Sequence, residues 1–228
     1  MTRSDTGSET RGANLDAVGF VLAGGKSSRM GQDKAQVQFA GQPLAEHALG
    51  TLSLAGLAVS LAGGSSAIAD FAPIVQDSVP GLGPLAGICA GLASTSARLV
   101  VFLPIDLPLL PSSLILYLLA HAKVTGAPVT VPSVNGFAET FPAVLDRAVL
   151  TVLESELQAG RRGCFAAFQT AAARLGQVIS VLPVETLVQS GQVAHPGGLP
   201  AARWLLNVNS PKGLRLANEY HPHFYRVI

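Results

Sequence analysis

Short apolar runs alternate with longer amphipathic stretches along this chain. Val18 to Ala23 runs into Gly24-Gly25, Ala58 to Ala62 into Gly63-Gly64, and Leu99 to Leu103 into Pro104-Ile105-Asp106. Ile74-Val75, Val129 to Val131, Val178 to Leu182 and Trp204 to Val208 are of the same kind. Brief apolar runs bounded by turn residues and rich in β-branched side chains predict strands. Helices are predicted between them. Pro43 to Leu54 follows a Gly-Gln-Pro turn, and Pro84 opens a small-residue helix through Leu92. Ser112 or Ser113 is placed to cap a helix to Lys123, and Asp146 to cap one that continues to Ala159 and stops at Gly160. Phe165 to Leu175 ends at Gly176, and Ser210-Pro211 opens a last helix towards Tyr220. Ser190 to Ala201, rich in Gly and Pro, reads as a loop. Strand–helix alternation of this kind predicts one doubly wound, mostly parallel α/β sheet. Ligands in such folds lie outside the carboxyl ends of the strands.

Composition sharpens this picture. The 228 residues suffice for one domain with a large core, and they are 49% hydrophobic and 13% charged. The mean hydropathy of +0.42 is high enough to raise a membrane protein as an alternative. The longest apolar stretch, Leu99 to Leu110, is broken by Pro104, Asp106 and Pro108. A membrane span needs about 20 uninterrupted apolar residues, so strands buried on both faces of a sheet explain the hydropathy better. The net charge is +1 and no basic stripe is present, which argues against nucleic-acid binding. Cys89 and Cys164 have no metal-ligand spacing and read as two buried thiols. Residues 1–15 are polar and lack the apolar core of a signal peptide, so a disordered leader ahead of one domain over 16–228 and a cytoplasmic location are expected.

Four clusters carry candidate chemistry. The first strand ends in Leu22-Ala23-Gly24-Gly25-Lys26-Ser27-Ser28-Arg29-Met30-Gly31-Gln32-Asp33-Lys34. Two glycines let the backbone turn and expose N–H groups to an anion. An ordinary βα turn would need only the glycines. Three cations and two serines in the same loop point to phosphate. A P-loop is excluded, because Phe20 stands where that motif needs a glycine. The second cluster, Asp77 to Gly87, is a Pro/Gly loop leading into the Pro84 helix. There Gly83 would let a ligand approach, and Asp77 would accept hydrogen bonds from a base or ribose; a plain helix-entry loop fits that stretch equally well. The third is Asp106, a lone carboxylate between two prolines at the end of a buried strand. It calls for a partner, and Mg²⁺ is the reading preferred over a helix cap or a salt bridge, because the site lies at the same sheet edge as the first loop. The fourth is Asn207-Val208-Asn209-Ser210-Pro211. Asn207 and Asn209 point to one side if the strand continues, and a helix cap is the competing reading. The histidines form no catalytic arrangement.

Together these clusters resemble the molybdenum cofactor guanylyltransferases and their MobA-like nucleotidyltransferase relatives. The family pattern Leu-Ala-Gly-Gly-x-Ser-x-Arg-Met-Gly-x-Asp-Lys is matched from Leu22 to Lys34. Gly-Pro-Leu-Ala-Gly is matched at Gly83 to Gly87, Asp-x-Pro at Asp106 to Pro108, and Asn-x-Asn-Ser-Pro at Asn207 to Pro211. Lys212-Gly213 departs from the family, which carries acidic residues there. The resemblance implies a Rossmann-like nucleotide-transferase domain that moves GMP from GTP to Mo-molybdopterin. On that reading Leu22, Ala23, Gly24, Gly25, Ser27, Lys34, Asp77 and Gly83 bind nucleotide, and Arg29, Lys34 and Asp106 carry catalysis. Asp106 and Asn209 hold Mg²⁺, and the acceptor lies around Val134 to Phe141 and Arg161 to Gly163. Molybdoenzyme apoproteins or their chaperones would be the downstream partners, with no nucleic acid and no membrane. The same motifs leave room for CTP with molybdopterin, for a sugar or alcohol phosphate acceptor, or for a non-catalytic nucleotide-binding regulator.

Overall fold

The structure, a computed structural model, describes residues 16–23, 34–63, 69–76 and 82–220. The expected leader, 1–15, lies outside them. Seven strands form the main path of one sheet: β1 (Ala17–Leu22), β4 (Ala58–Ala62), β5 (Ile74–Val75), β6 (Leu99–Pro104), β7 (Val129–Val134), β9 (Ala143–Asp146) and β10 (Ser180–Pro183). Their order is β10-β7-β9-β6-β1-β4-β5, and a short β8 (Phe137–Ala138) pairs with β7 off that path. A separate hairpin, β2 (Gln38–Phe39) and β3 (Gln42–Pro43), follows β1 in sequence.

β1 pairs in parallel with β4 on one side and β6 on the other. β4 and β5, and β7 and β10, are parallel too. β9 runs the opposite way between β6 and β7. Both ends of the segment 135–142, between β7 and β9, therefore lie at the carboxyl edge of the parallel strands. The sheet is mostly parallel as expected, with β9 and the short β8 reversed, neither announced by a long apolar run.

Strand residues alternate between two cores, as a pleated ribbon requires. Val21, Val101 and Leu103 face α1 (Leu44–Leu54), α3 (Ser112–Thr125), α6 (Val184–Gln189) and α7 (Pro211–Tyr220). Phe20, Leu22, Val100 and Phe102 face α2 (Pro84–Ala93), α4 (Leu150–Gln158) and α5 (Cys164–Arg174). The Phe20 and Phe102 rings stack at 5.7 Å in the second core. There Gly91 of α2 comes so close that a Cβ on it would lie 2.9 Å from Phe102 Cε1. The two layers of helices confirm the doubly wound arrangement. Among the described residues no helix is long and apolar enough to cross a membrane.

Several local expectations need correction. Trp204 to Val208 is not a strand. Its donors turn back locally, Trp204 N–H to Ala201 O at 3.1 Å and Leu206 N–H to Arg203 O at 3.1 Å. The Trp204 indole N–H donates to Leu199 O at 2.7 Å, which spends the apolar run on filling a core rather than on a ladder. Neither Ser112 nor Ser113 caps α3. Pro111 stands at that position without a side-chain cap, and Ser113 Oγ donates to Ala194 O at 2.6 Å. Asp146 does cap as expected, accepting from Ala148 N–H at 2.9 Å, but it caps a 3-10 turn (Arg147–Val149) that leads into α4. Gly160 and Gly176 follow their helices with φ of 75° and 71°, the left-handed stop that glycine makes cheap.

Candidate active site

The register sets Leu22 of β1 beside Ala62 of β4 and Pro104 of β6. Ala23 N–H donates to Ala62 O at 3.2 Å, and Ile105 N–H to Leu22 O at 3.4 Å. The chain therefore leaves β1 and β6 side by side at one edge. The helix after β1 packs on one face of the sheet and the helix before β6 on the other, which makes this a topological switch point. Leu22 and Ala23 are buried there. Gly24, Gly25, Ser27, Arg29 and Asp77 lie outside the described residues.

Lys34 begins a 3-10 turn over Lys34–Gln36. Ala35 and Val37, both fully buried, root that turn in the core. Lys34 Nζ donates to Asp106 Oδ2 at 2.7 Å and also to Asn209 Oδ1. The Lys34 and Asp106 side chains are only 16% and 13% exposed, so water screens the pair weakly. Asp106 Oδ1 is buried and, among the described residues, has no hydrogen-bond partner. A carboxylate oxygen left in that condition costs free energy unless something polar meets it. Val208 N–H donates to Asp106 O at 2.9 Å, which joins the Asn207–Asn209 segment to the Asp106 loop.

Three of the four motifs thus meet at the carboxyl edge through Lys34, Asp106 and Asn209. The remaining one, Asp77 to Gly87, is represented by Gly83, whose φ of 85° and ψ of −173° suit glycine alone, directly before Pro84 at the start of α2. The helix-cap reading of the last motif also holds, because Gly213 N–H donates to Ser210 Oγ at 3.1 Å.

Two features went unread in the sequence. A Cβ on Gly213 would sit 3.2 Å from Asn207 O, so glycine lets the first turn of α7 lie against the backbone that presents Asn209. The other is Asn218 of α7, whose Oδ1 accepts from Ala40 N–H at 3.1 Å and so holds the β2–β3 hairpin beyond Lys34. Only an Asn on a helix marks it in the sequence. On the expected acceptor side, Arg161 is committed to α4, the helix before it. Its Nε and Nη2 donate to the two Glu156 carboxylate oxygens at 2.6 and 2.7 Å. The hydrogen bond from Arg161 holds the Glu156 carboxyl below its ordinary range.

A mostly parallel, doubly wound sheet with a Lys–carboxylate–amide cluster at its switch point defines a nucleotidyltransferase-like fold. The chain belongs to the MobA-like NTP transferase domain family, whose model matches residues 19–177. It is 37% identical over 125 residues to a molybdenum cofactor guanylyltransferase of Cupriavidus taiwanensis, covering 53% of this chain and 63% of that protein. It is 34% identical over 146 residues to a protein of the same name from Vibrio atlanticus, covering 62% and 75%. The matches span 51% to 63% of the length of the first three curated relatives. In fold the chain is similar to molybdopterin-guanine dinucleotide biosynthesis protein A of Archaeoglobus fulgidus, with TM-score 0.72, 22% identity, and 90% and 98% of the two chains covered.

Proposed function

We propose that this protein transfers GMP from GTP to the phosphate of Mo-molybdopterin and releases pyrophosphate. The observation that carries the reading is the meeting of Lys34, Asp106 and Asn209 at the β1–β6 edge. Relatives that share this chain's family carry the guanylyltransferase name. In the reaction an acceptor phosphate oxygen attacks the α-phosphorus of GTP, and the bond to the α–β bridging oxygen breaks. The acceptor is already an anion at neutral pH, so no strong general base is needed. The obstacle is bringing two anions together, and positioning with charge neutralisation overcomes it. Lys34 supplies one cation at the edge. Arg29 and the amides of the Gly24-Gly25 turn, with Ser27, are assigned to the triphosphate, and Asp77 and Gly83 to the nucleoside.

The residues present fit a hard divalent cation. Asp106 offers a buried oxygen with no partner among the described residues, and Asn209 adds an amide oxygen. Mg²⁺ is commonly held by one or two carboxylates plus substrate phosphates. Among the described residues no group of three or more His, Cys, Asp or Glu forms a softer alternative. When bound, Mg²⁺ would act as a Lewis acid that neutralises phosphate charge. A reaction that consumes GTP supports the expected cytoplasmic location, where its product would pass to molybdoenzyme apoproteins or their chaperones. Residues 16–228 act as one catalytic domain on this reading.

The test is pyrophosphate release by the purified protein with Mg²⁺, molybdopterin and each of GTP, CTP, ATP and UTP. Release with GTP alone, dependent on both molybdopterin and Mg²⁺, is expected. Release with CTP alone would move the activity to a cytidylyl transfer, and no release with any nucleotide would refute the acceptor.

A further inference from the structure

The ammonium of Lys34 rests on both of the oxygen donors that the cation reading uses, Asp106 Oδ2 at 2.7 Å and Asn209 Oδ1. One positive charge thus already neutralises the Asp106 carboxylate. A dication arriving beside it would meet a like charge within a few ångströms, in a place that water reaches little. The nucleotide reading assigns the same lysine to phosphate. Its single charge is divided if it serves the carboxylate and a triphosphate together.

We propose that Lys34 keeps the cation position at Asp106 closed until a triphosphate draws its ammonium away, so that nucleotide and divalent cation each promote binding of the other. The inference rests on the nucleotide and cation assignments of the preceding reading. The exchange needs only the side chain to move. Val37 N–H donates to Lys34 O at 3.2 Å, Leu44 N–H to Val37 O at 2.9 Å, and Ala40 N–H to Asn218 Oδ1 at 3.1 Å. The backbone on the C-terminal side of Lys34 is therefore pinned, while a four-carbon stem lets the ammonium swing. When it leaves, Asp106 Oδ2 and Asn209 Oδ1 are released in one step beside the already unpartnered Oδ1 of Asp106. Linkage makes the effect reciprocal. Whatever factor the nucleotide adds to cation affinity, the cation adds to nucleotide affinity.

The experiment titrates Mn²⁺, a paramagnetic substitute for Mg²⁺, into the full-length protein without nucleotide and reads free Mn²⁺ by electron paramagnetic resonance. Lys34→Met is expected to bind Mn²⁺ on the order of tenfold more tightly than the wild type. A second titration adds GTP in the presence of EDTA. Asp106→Asn is expected to bind GTP more tightly than the wild type, because its neutral amide holds Lys34 less firmly. Unchanged or weaker Mn²⁺ binding by Lys34→Met, including no binding by either protein, overturns the proposal. So does unchanged or weaker metal-free GTP binding by Asp106→Asn. Circular dichroism checks the fold of each variant, and Lys34→Gln replaces Lys34→Met if the latter does not fold. Neither titration contains molybdopterin or measures transfer. A protein that fails the transfer assay can still pass both, and one that passes the transfer assay can still fail them.

Discussion

Gly50 and Gly91 both occupy helix interiors, yet replacing each with alanine should shift stability in opposite directions. At Gly50 of α1 an added Cβ has no neighbour within 4 Å. The substitution recovers the helix penalty of glycine, about 0.5–1 kcal/mol. At Gly91 of α2 the same Cβ would lie 2.9 Å from Phe102 Cε1, 3.2 Å from Phe102 Cζ and 3.2 Å from Phe20 Cγ. Phe102 is fully buried and stacked on Phe20, so the rings have no room to yield. Overpacking of this kind costs about 1–3 kcal/mol. With both rings buried the overpacking cost falls at about 2–3 kcal/mol, and set against a helix gain of about 1 kcal/mol the net loss is about 1–2 kcal/mol. Urea unfolding followed by circular dichroism measures both variants. The expected result is a raised midpoint for Gly50→Ala and a lowered one for Gly91→Ala, with unchanged slopes. A Gly91→Ala protein as stable as the wild type would show that α2 does not seat against the Phe20–Phe102 stack. The site would feel this too, because α2 starts at Pro84 next to Gly83. An outward shift of the helix should raise the KM for the nucleotide.

Other expectations follow from the same contacts. Asp106→Ala should lower transfer by about 100-fold or more while its circular dichroism stays that of the wild type; full turnover in the pyrophosphate assay would refute the role given to this carboxylate. Burial pushes the Cys89 thiol up to about 12 and Cys164 up to about 11, against an ordinary value of 9.0. Above pH 9 the unfolded chain loses these protons before the folded one does, so stability falls as pH rises towards 11–12. The Cys89→Ala/Cys164→Ala variant should lose less stability between about pH 8 and about pH 10 in urea titrations, and an equal loss would count against buried thiols as the cause. Glu156 is held below its ordinary value of 4.5 by the hydrogen bond from Arg161. Its contribution is present above that value and fades as acid takes the pH through the lowered one, so Glu156→Gln should flatten the acid limb of a thermal melting profile.

The central strands were legible because burial on both faces leaves continuous apolar runs. Ala58–Ala62 and Ile74–Val75 lie where the runs placed them, and β1 and β6 within a residue at each end. Trp204 to Val208 had the same appearance and no ladder, since a run of apolar residues records burial and says nothing about where the backbone donors go. β9 escaped notice because Ala143–Asp146 is four residues long, directly after Pro142. α6, at six residues, is too short for a helical period to show. At the site, motif order and the carboxyl-edge rule brought Lys34, Asp106 and Asn209 together before any coordinates did. What pattern could not supply was the partnership among them. A lysine expected at phosphate is instead bonded to the very oxygens assigned to the metal. The supports from Gly213 and Asn218 were equally silent, because they depend on close approach between segments far apart in the chain.

The reversed strand β9 has an engineering consequence. Because it runs against its neighbours, residues 135–142 start and end at the same rim, with the short β8 folded back on β7 between them, and no crossover helix depends on their length. Lengthening such a loop is inexpensive, about 0.6 kcal/mol for each doubling. This stretch is therefore an exchangeable cassette. It can be extended beyond β8 while β1, β6 and the lysine–carboxylate pair keep their places.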